Sequence, residues 1–259
     1  MGIALRDKVI GIGSMPHTHL DSDILRYIVE HHMQPGERLP TIPELSEELG
    51  VSVSKIREEL SVERTLGLVQ IRPRTGTQVN EFCFGPAATL SVLYALGMDR
   101  VNFHHFSTLR NNIELSFWHE AVQQLCPEDI AYLRELVMRA REMLTCTPVE
   151  VPFQEHRSLH LAFFKHLDNP FVQGLLEAYW AAYKAFGLAL YADISYHHEV
   201  WDYHERMVEC VAQGDFDGGH RALRQHMALL RYRPNQMPDI VEELPESPER
   251  SSSIHHFFE

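Results

Sequence analysis

Four histidines offer the clearest chemistry in this chain. His156 and His160 stand four residues apart, so on a helix both rings leave one face, one above the other, at a spacing that can hold a single metal ion. His160 shares that face with Phe163, Phe164 and Leu167, which turns it inward. His204 precedes Met207, Val208 and Val211 at inward spacings, and His226 falls on the stripe Phe216, Leu223, Leu230, so two further helices each present one imidazole to their apolar side. Four inward rings on three helices are costly to bury unless their nitrogens are satisfied, which a divalent cation does. The chain holds 17 histidines, and the competing expectation for any one of them is a core or surface position reached by chance.

A second constellation runs from Leu39 to Val79. Thr41 followed by Glu44 has the form of a capping box, opening a helix that buries Leu45 and Leu49. Gly50 supplies a left-handed turn residue and Val51 plugs the core. Ser52 caps a second helix that buries Ile56, Leu60 and Val62. The first turns of that helix then expose Ser52, Val53, Ser54, Lys55 and Arg57, where a recognition helix meets base edges. Arg72, Arg74, Thr75 and Gly76 form a basic tip between two short strands, the shape of a wing. The same pattern also fits a small helical domain that packs without any ligand.

The elements that must position these residues change character near residue 81. Before it, the pattern predicts helices over 21–32, 41–49 and 52–65 and strands over 68–72 and 76–80. After it every periodic segment is helical, and six or seven helices fit, punctuated at Pro86, Cys126-Pro127, Thr147-Pro148, Asn169-Pro170 and Gly214-Asp215. The fold class expected is mainly α: a winged helix-turn-helix over 1–80, an all-α bundle over 81–233, and a Pro-, Ser- and Glu-rich tail over 234–259 expected to be disordered.

A net charge of -13 argues against a nucleic-acid binder until its distribution is considered. Residues 1–80 carry 9 Lys and Arg against 11 Asp and Glu, while the remainder carries 14 against 25, so most of the acidity lies outside the helix-turn-helix. No apolar run approaches the roughly 20 residues of a membrane span, and the first residues lack a secretory pattern, so a soluble cytoplasmic protein with no membrane partner is expected. The four cysteines show no CxxC spacing and are expected to be reduced and mostly buried.

Leu39 to Val79 resembles the GntR family winged helix, through Leu39-Pro40-Thr41, Glu44-Leu45, Gly50-Val51-Ser52, Ile56-Arg57-Glu58-Glu59-Leu60, Gly67-Leu68-Val69 and the wing from Arg72 to Val79. Pro43 and Val53 stand where many members carry arginines, so two cationic contacts of that family are missing. From about Phe84 to Arg231 the chain is similar to the FadR C-terminal-domain type of effector module, or FCD. That similarity runs through Arg110 and Glu114, through His156, Leu159 and His160 followed by Asn169-Pro170, and through His204, Met207, Gly214-Asp215 and His226.

The resemblance implies a bacterial transcription regulator that binds a double-stranded DNA operator as a homodimer and is not an enzyme. It implies metal ligands at His156, His160, His204 and His226, with His156 where an aspartate is usual. An all-imidazole shell favours Zn or Ni over Mg, Ca or Mn. The resemblance also implies an effector that is a small organic or sugar acid. Arg110 is suited to grip its carboxylate, or alternatively to pair with Glu114 four residues on. Tyr179, Trp180 and Tyr183 line the pocket or belong to the core.

Two other readings use the same residues. In one the cation itself is the signal. In the other the histidines form a hydrolytic metal centre, against which stand the missing glutamate beside His156 and the absence of an evident general base.

Overall fold

The computed structural model describes residues 20–72, 75–186 and 194–229. Three helices, α1 (Asp23–Glu30), α2 (Ile42–Leu49) and α3 (Val53–Thr65), precede an antiparallel pair, β1 (Val69–Arg72) and β2 (Gly76–Val79). Seven further helices follow among the described residues: α4 (Gly85–Met98), α5 (Asn102–Val122), α6 (Pro127–Thr145), α7 (Phe153–Phe163), α8 (Pro170–Phe186), α9 (Ile194–Ala212) and α10 (Phe216–Leu229). The expected tail, with Leu230 and everything after it, lies outside the described residues, as does Arg74.

The first part has its own core of Ile24, Tyr27, Leu39, Leu45, Ile56, Leu60 and Val69. Ser22 caps α1 by accepting from the Leu25 N–H, and its hydroxyl donates to Glu63 of α3 at 2.5 Å. Glu59 accepts from the Ile24 N–H at 3.0 Å. These bonds explain why Glu63 is buried in α3. They also correct one expectation: Val62 is 56% exposed, because Ile56, Leu60 and Glu63 take the inner face at helical spacing and leave Val62 on the outer one.

The helical part is built around Trp118, Leu133, Leu136, Leu159, Phe163, Phe164, Trp201, Met207 and Leu223. A second cluster joins Phe103 to Tyr179, Trp180 and Tyr183, so those three aromatics are core residues, of which Tyr183 also faces a small cavity. Asn169 and Asp215 cap α8 and α10 through backbone N–H groups of Val172 and Gly218, as their places in the punctuation suggest. At Gly219 a Cβ would come within 2.8 Å of the Trp118 ring, so glycine there lets α10 lie against α5.

The break at Thr147-Pro148 is longer than the pattern suggests. Helix α7 starts only at Phe153, since Pro152 keeps Val151 out of the α region. The cysteines depart from expectation too: Cys83, Cys126 and Cys146 are exposed and Cys210 intermediate, with Cys126 and Cys146 at the two ends of α6, where side chains leave the packed interior.

Candidate metal centre and nucleic-acid interface

In α2 and α3 the turn chemistry matches the residues. Both the Thr41 N–H and its hydroxyl donate to the Glu44 carboxylate at 2.7 Å, Gly50 ends α2 with φ 68°, and Ser52 caps α3 by accepting from the Lys55 N–H at 3.2 Å. Ser52, Val53, Ser54, Lys55 and Arg57 are all exposed at the start of α3. They are not equivalent, because Lys55 forms ion pairs with Asp23 of α1 and, at 3.6 Å, with Glu59. Arg57 carries no such restraint among the described contacts.

The wing pairs Arg72 with Gly76, and Arg72, Thr75 and Gly76 are exposed at its end. The surface also includes Arg38, which the sequence reading passed over. It is exposed, bridges to Gln78 on β2, and lies beside Gly76, whose added Cβ would come 3.7 Å from it. The signal available was an arginine just before Leu39-Pro40, but its place at the wing depends on a long-range pairing.

The four histidines converge. His156 and His160 on α7, His204 on α9 and His226 on α10 are buried, and each offers a ring nitrogen within 4.8 Å of the others'. The Nε2 atoms of His160 and His204 are 3.1 Å apart. Aromatic rings wall the cluster, with Trp180 centred 4.7 Å from His156 and Trp201 4.7 Å from His204.

Burial pushes the pKa of all four imidazoles well below the usual histidine value, and the charges of neighbouring rings or of Arg110 push the same way. They are therefore neutral rings with lone pairs to share. Among the described residues no hydrogen-bond partner meets Nε2 of His156, Nδ1 of His204 or either nitrogen of His226. Four buried rings gathered in one place, three of them with an unmet nitrogen, suit a borderline-soft cation with nitrogen preference.

Helix α5 lays a charged pair against this cluster. Arg110 and Glu114 are both buried, with Nε of the first 2.8 Å from Oε1 of the second as an ion pair not aligned as a hydrogen bond. The guanidinium covers the Tyr179 ring at 4.6 Å. Burial raises the Glu114 carboxyl to about 7 despite the opposing charges of Arg110 and His226. Glu114 is thus a buried acid touching His160, where the sequence offered no evident general base; its i,i+4 relation to Arg110 was the signal, with nothing in the sequence placing α5 beside α7.

The family profile for bacterial regulatory proteins of the gntR family matches residues 17–79, and that for the FCD domain matches residues 106–229. The chain belongs to the GntR family. This GntR-family chain is 23% identical to the Uxu operon regulator of Haemophilus influenzae over 245 residues, covering 91% of the chain and 88% of that protein. It is 27% identical to the HTH-type transcriptional regulator McbR of Escherichia coli over 176 residues, covering 66% of the chain and 71% of McbR. Among solved structures, Streptococcus agalactiae GntR has the same fold, with a TM-score of 0.57, 19% identity and coverage of 80% of this chain and 95% of that one.

This GntR-family chain is accordingly a transcriptional regulator with a DNA-binding helix-turn-helix and an FCD domain, in a family of regulators rather than enzymes. Among its described residues no helix is long and apolar enough to cross a membrane.

Proposed function

We propose that the regulator is a homodimer whose FCD domain holds one divalent cation, Zn or Ni by preference, on His156, His160, His204 and His226, and reports a small organic or sugar acid to the DNA-binding part. The observation that carries this reading is the gathering of four buried imidazoles with nitrogens within 4.8 Å of one another, three of the rings having at least one nitrogen without a partner among the described residues. A cation there would supply Lewis acidity and an open position for a carboxylate. Arg110, at hydrogen-bond distance from His160, is the cation of the chain itself that can take the remaining carboxylate charge.

On the DNA side, Ser52, Val53, Ser54 and Arg57 face the base edges, with Thr41 and Lys55 near the backbone. Arg72, Thr75 and Gly76 of the wing approach the flanking groove, with Arg74 assigned to the same tip from its sequence position. Two copies would place their recognition helices on half-sites about one helical turn apart, and effector binding would shift the population of spacings that fits them.

A second reading, in which the cation itself is the signal, draws support from the small space beside the cluster. The cavity lined by Phe153, His156, Tyr183, Tyr196, His197 and Trp201 has a volume of about 10 Å³ among the described residues. That is room for about one water, not for a sugar acid.

DNA-binding titrations separate the two. Fluorescence anisotropy on DNA from upstream of the protein's own gene is followed with chelator, with Zn²⁺, and with Zn²⁺ plus a panel of organic and sugar acids. An acid that changes affinity only when Zn²⁺ is present supports the first reading. A change with Zn²⁺ that no acid modifies supports the second. Unchanged binding under all conditions contradicts both.

A further inference from the structure

His160 is addressed at one nitrogen by two groups that want opposite things. Its Nδ1 lies 2.8 Å from Nη2 of Arg110 and 3.1 Å from Oε2 of Glu114. A guanidinium only donates and an ionised carboxylate only accepts, so while Glu114 is ionised a neutral ring satisfies one of them at a time. With Nδ1 bare, Arg110 donates to it and the ring proton sits on Nε2, aimed at the bare Nε2 of His204 3.1 Å away. With the proton on Nδ1, the ring donates to Glu114, Nε2 turns a lone pair to the centre of the cluster, and Nη2 of Arg110 loses its acceptor while Nη1 keeps its bond to Asn111.

We propose that Arg110 and Glu114 compete for Nδ1 of His160, so that the tautomer able to ligate through Nε2 is the one that frees the Arg110 Nη2 group for an anion. This inference rests on the cation reading above and goes beyond it by supplying the link between the two ligands. The exchange moves one proton from one ring nitrogen to the other and leaves the charge of the ring unchanged.

In the metal-free chain Arg110 holds His160 in the tautomer that cannot ligate through Nε2. Engaging Nε2 shifts the ring toward Glu114, an outer-shell carboxylate that orients a ligating imidazole. The guanidinium N–H then faces an N–H in a buried site, an arrangement relieved when a carboxylate accepts from it. Glu114 and Arg110 are positioning residues in this scheme. Anion and cation binding reinforce one another because both favour the same ring tautomer.

The experiment records the tautomer of His160 directly, by two-bond ¹H–¹⁵N correlation in the full chain labelled on histidine, first with chelator and then with Zn²⁺. A His160→Gln variant assigns the signal. The expected result is a proton on Nε2 in the free protein and on Nδ1 after Zn²⁺. Calorimetric Zn²⁺ titrations complete it: E114Q binds roughly 10- to 100-fold more weakly, whereas R110M binds as well as the parent or better, since a competitor for Nδ1 is gone.

A proton on Nδ1 in both states, or equal weakening by the two variants, overturns the competition while leaving the cation reading intact. A parent protein that takes up no Zn²⁺ overturns both. The tautomer measurement needs neither charge-altered variant to fold.

Discussion

The Nε2 atoms of His160 and His204 stand 3.1 Å apart although 44 positions of chain separate them. Two more imidazoles close on the same point, and His226 reaches it with neither ring nitrogen met by the chain. An unmet buried polar group costs about 1–3 kcal/mol. His226→Leu, of similar size and without polar atoms, therefore stabilises chelator-treated protein by about that amount and abolishes stabilisation by Zn²⁺. Thermal melts with chelator and with Zn²⁺ check both signs. A variant less stable than the parent under chelator would show that the ring serves the fold instead.

Arg57 and Lys55 share the exposed start of α3, but only Lys55 is tied to Asp23 and Glu59. Arg57→Ala is expected to weaken operator binding by about 1–3 kcal/mol, roughly 10- to 100-fold, without changing the melting temperature. Lys55→Ala should lower stability by up to about 1 kcal/mol, the range of partly exposed ion pairs, and affect DNA less. Anisotropy titrations paired with melts separate the two roles.

Gly67 and Gly50 both have positive φ, 78° and 68°, but a Cβ on Gly67 would lie 2.7 Å from the Pro86 ring while one on Gly50 would meet nothing within 4 Å. Both alanine variants lose about 1 kcal/mol or more to backbone strain. Gly67→Ala should lose about 1–3 kcal/mol beyond that, from overpacking against Pro86. Urea unfolding of the two variants gives the difference.

Asp129 is a buried carboxylate that accepts from the Cys126 N–H at 2.9 Å, from His166 at 2.8 Å, and from Lys165. Burial alone would raise its pKa, yet the bonds from Lys165, Cys126 and His166 prevail and hold it well below the ordinary 3.8. The folded value is depressed, so the unfolded chain binds the proton more readily. The stabilisation is complete above pH ~4 and is lost as pH falls further. Asp129→Asn should thus cost about 1–3 kcal/mol at pH 7 and progressively less below pH 4, as read by urea midpoints across that range.

Much of this arrangement is legible in the residues because local rules act alone there. Thr41 with Glu44, Gly50 and Ser52 fix two helices and their turn through bonds within a few residues, and the spacing of His156 and His160 sets them on one face whatever surrounds them. What escaped the reading depends on contacts between distant segments. Glu63 is inside because Ser22, 41 positions away, needs an acceptor, and Val62 is outside as a result. Arg38 reaches the wing through a bridge to Gln78, and Glu114 meets His160 only because α5 packs on α7. The cysteines were misplaced because composition cannot tell a helix end from a helix interior.

The central claim is a cation held by four imidazoles, and X-ray absorption at the zinc edge on protein loaded with one equivalent of Zn²⁺ tests it most directly. The account predicts a first shell of nitrogen at about 2.0–2.1 Å with the outer scattering of several imidazole rings, lost in the His226→Leu variant. A shell at about 2.3 Å would mark thiolate, pointing instead to Cys126 beside Asp129 and His166. That result, or a protein that retains no zinc, would contradict it.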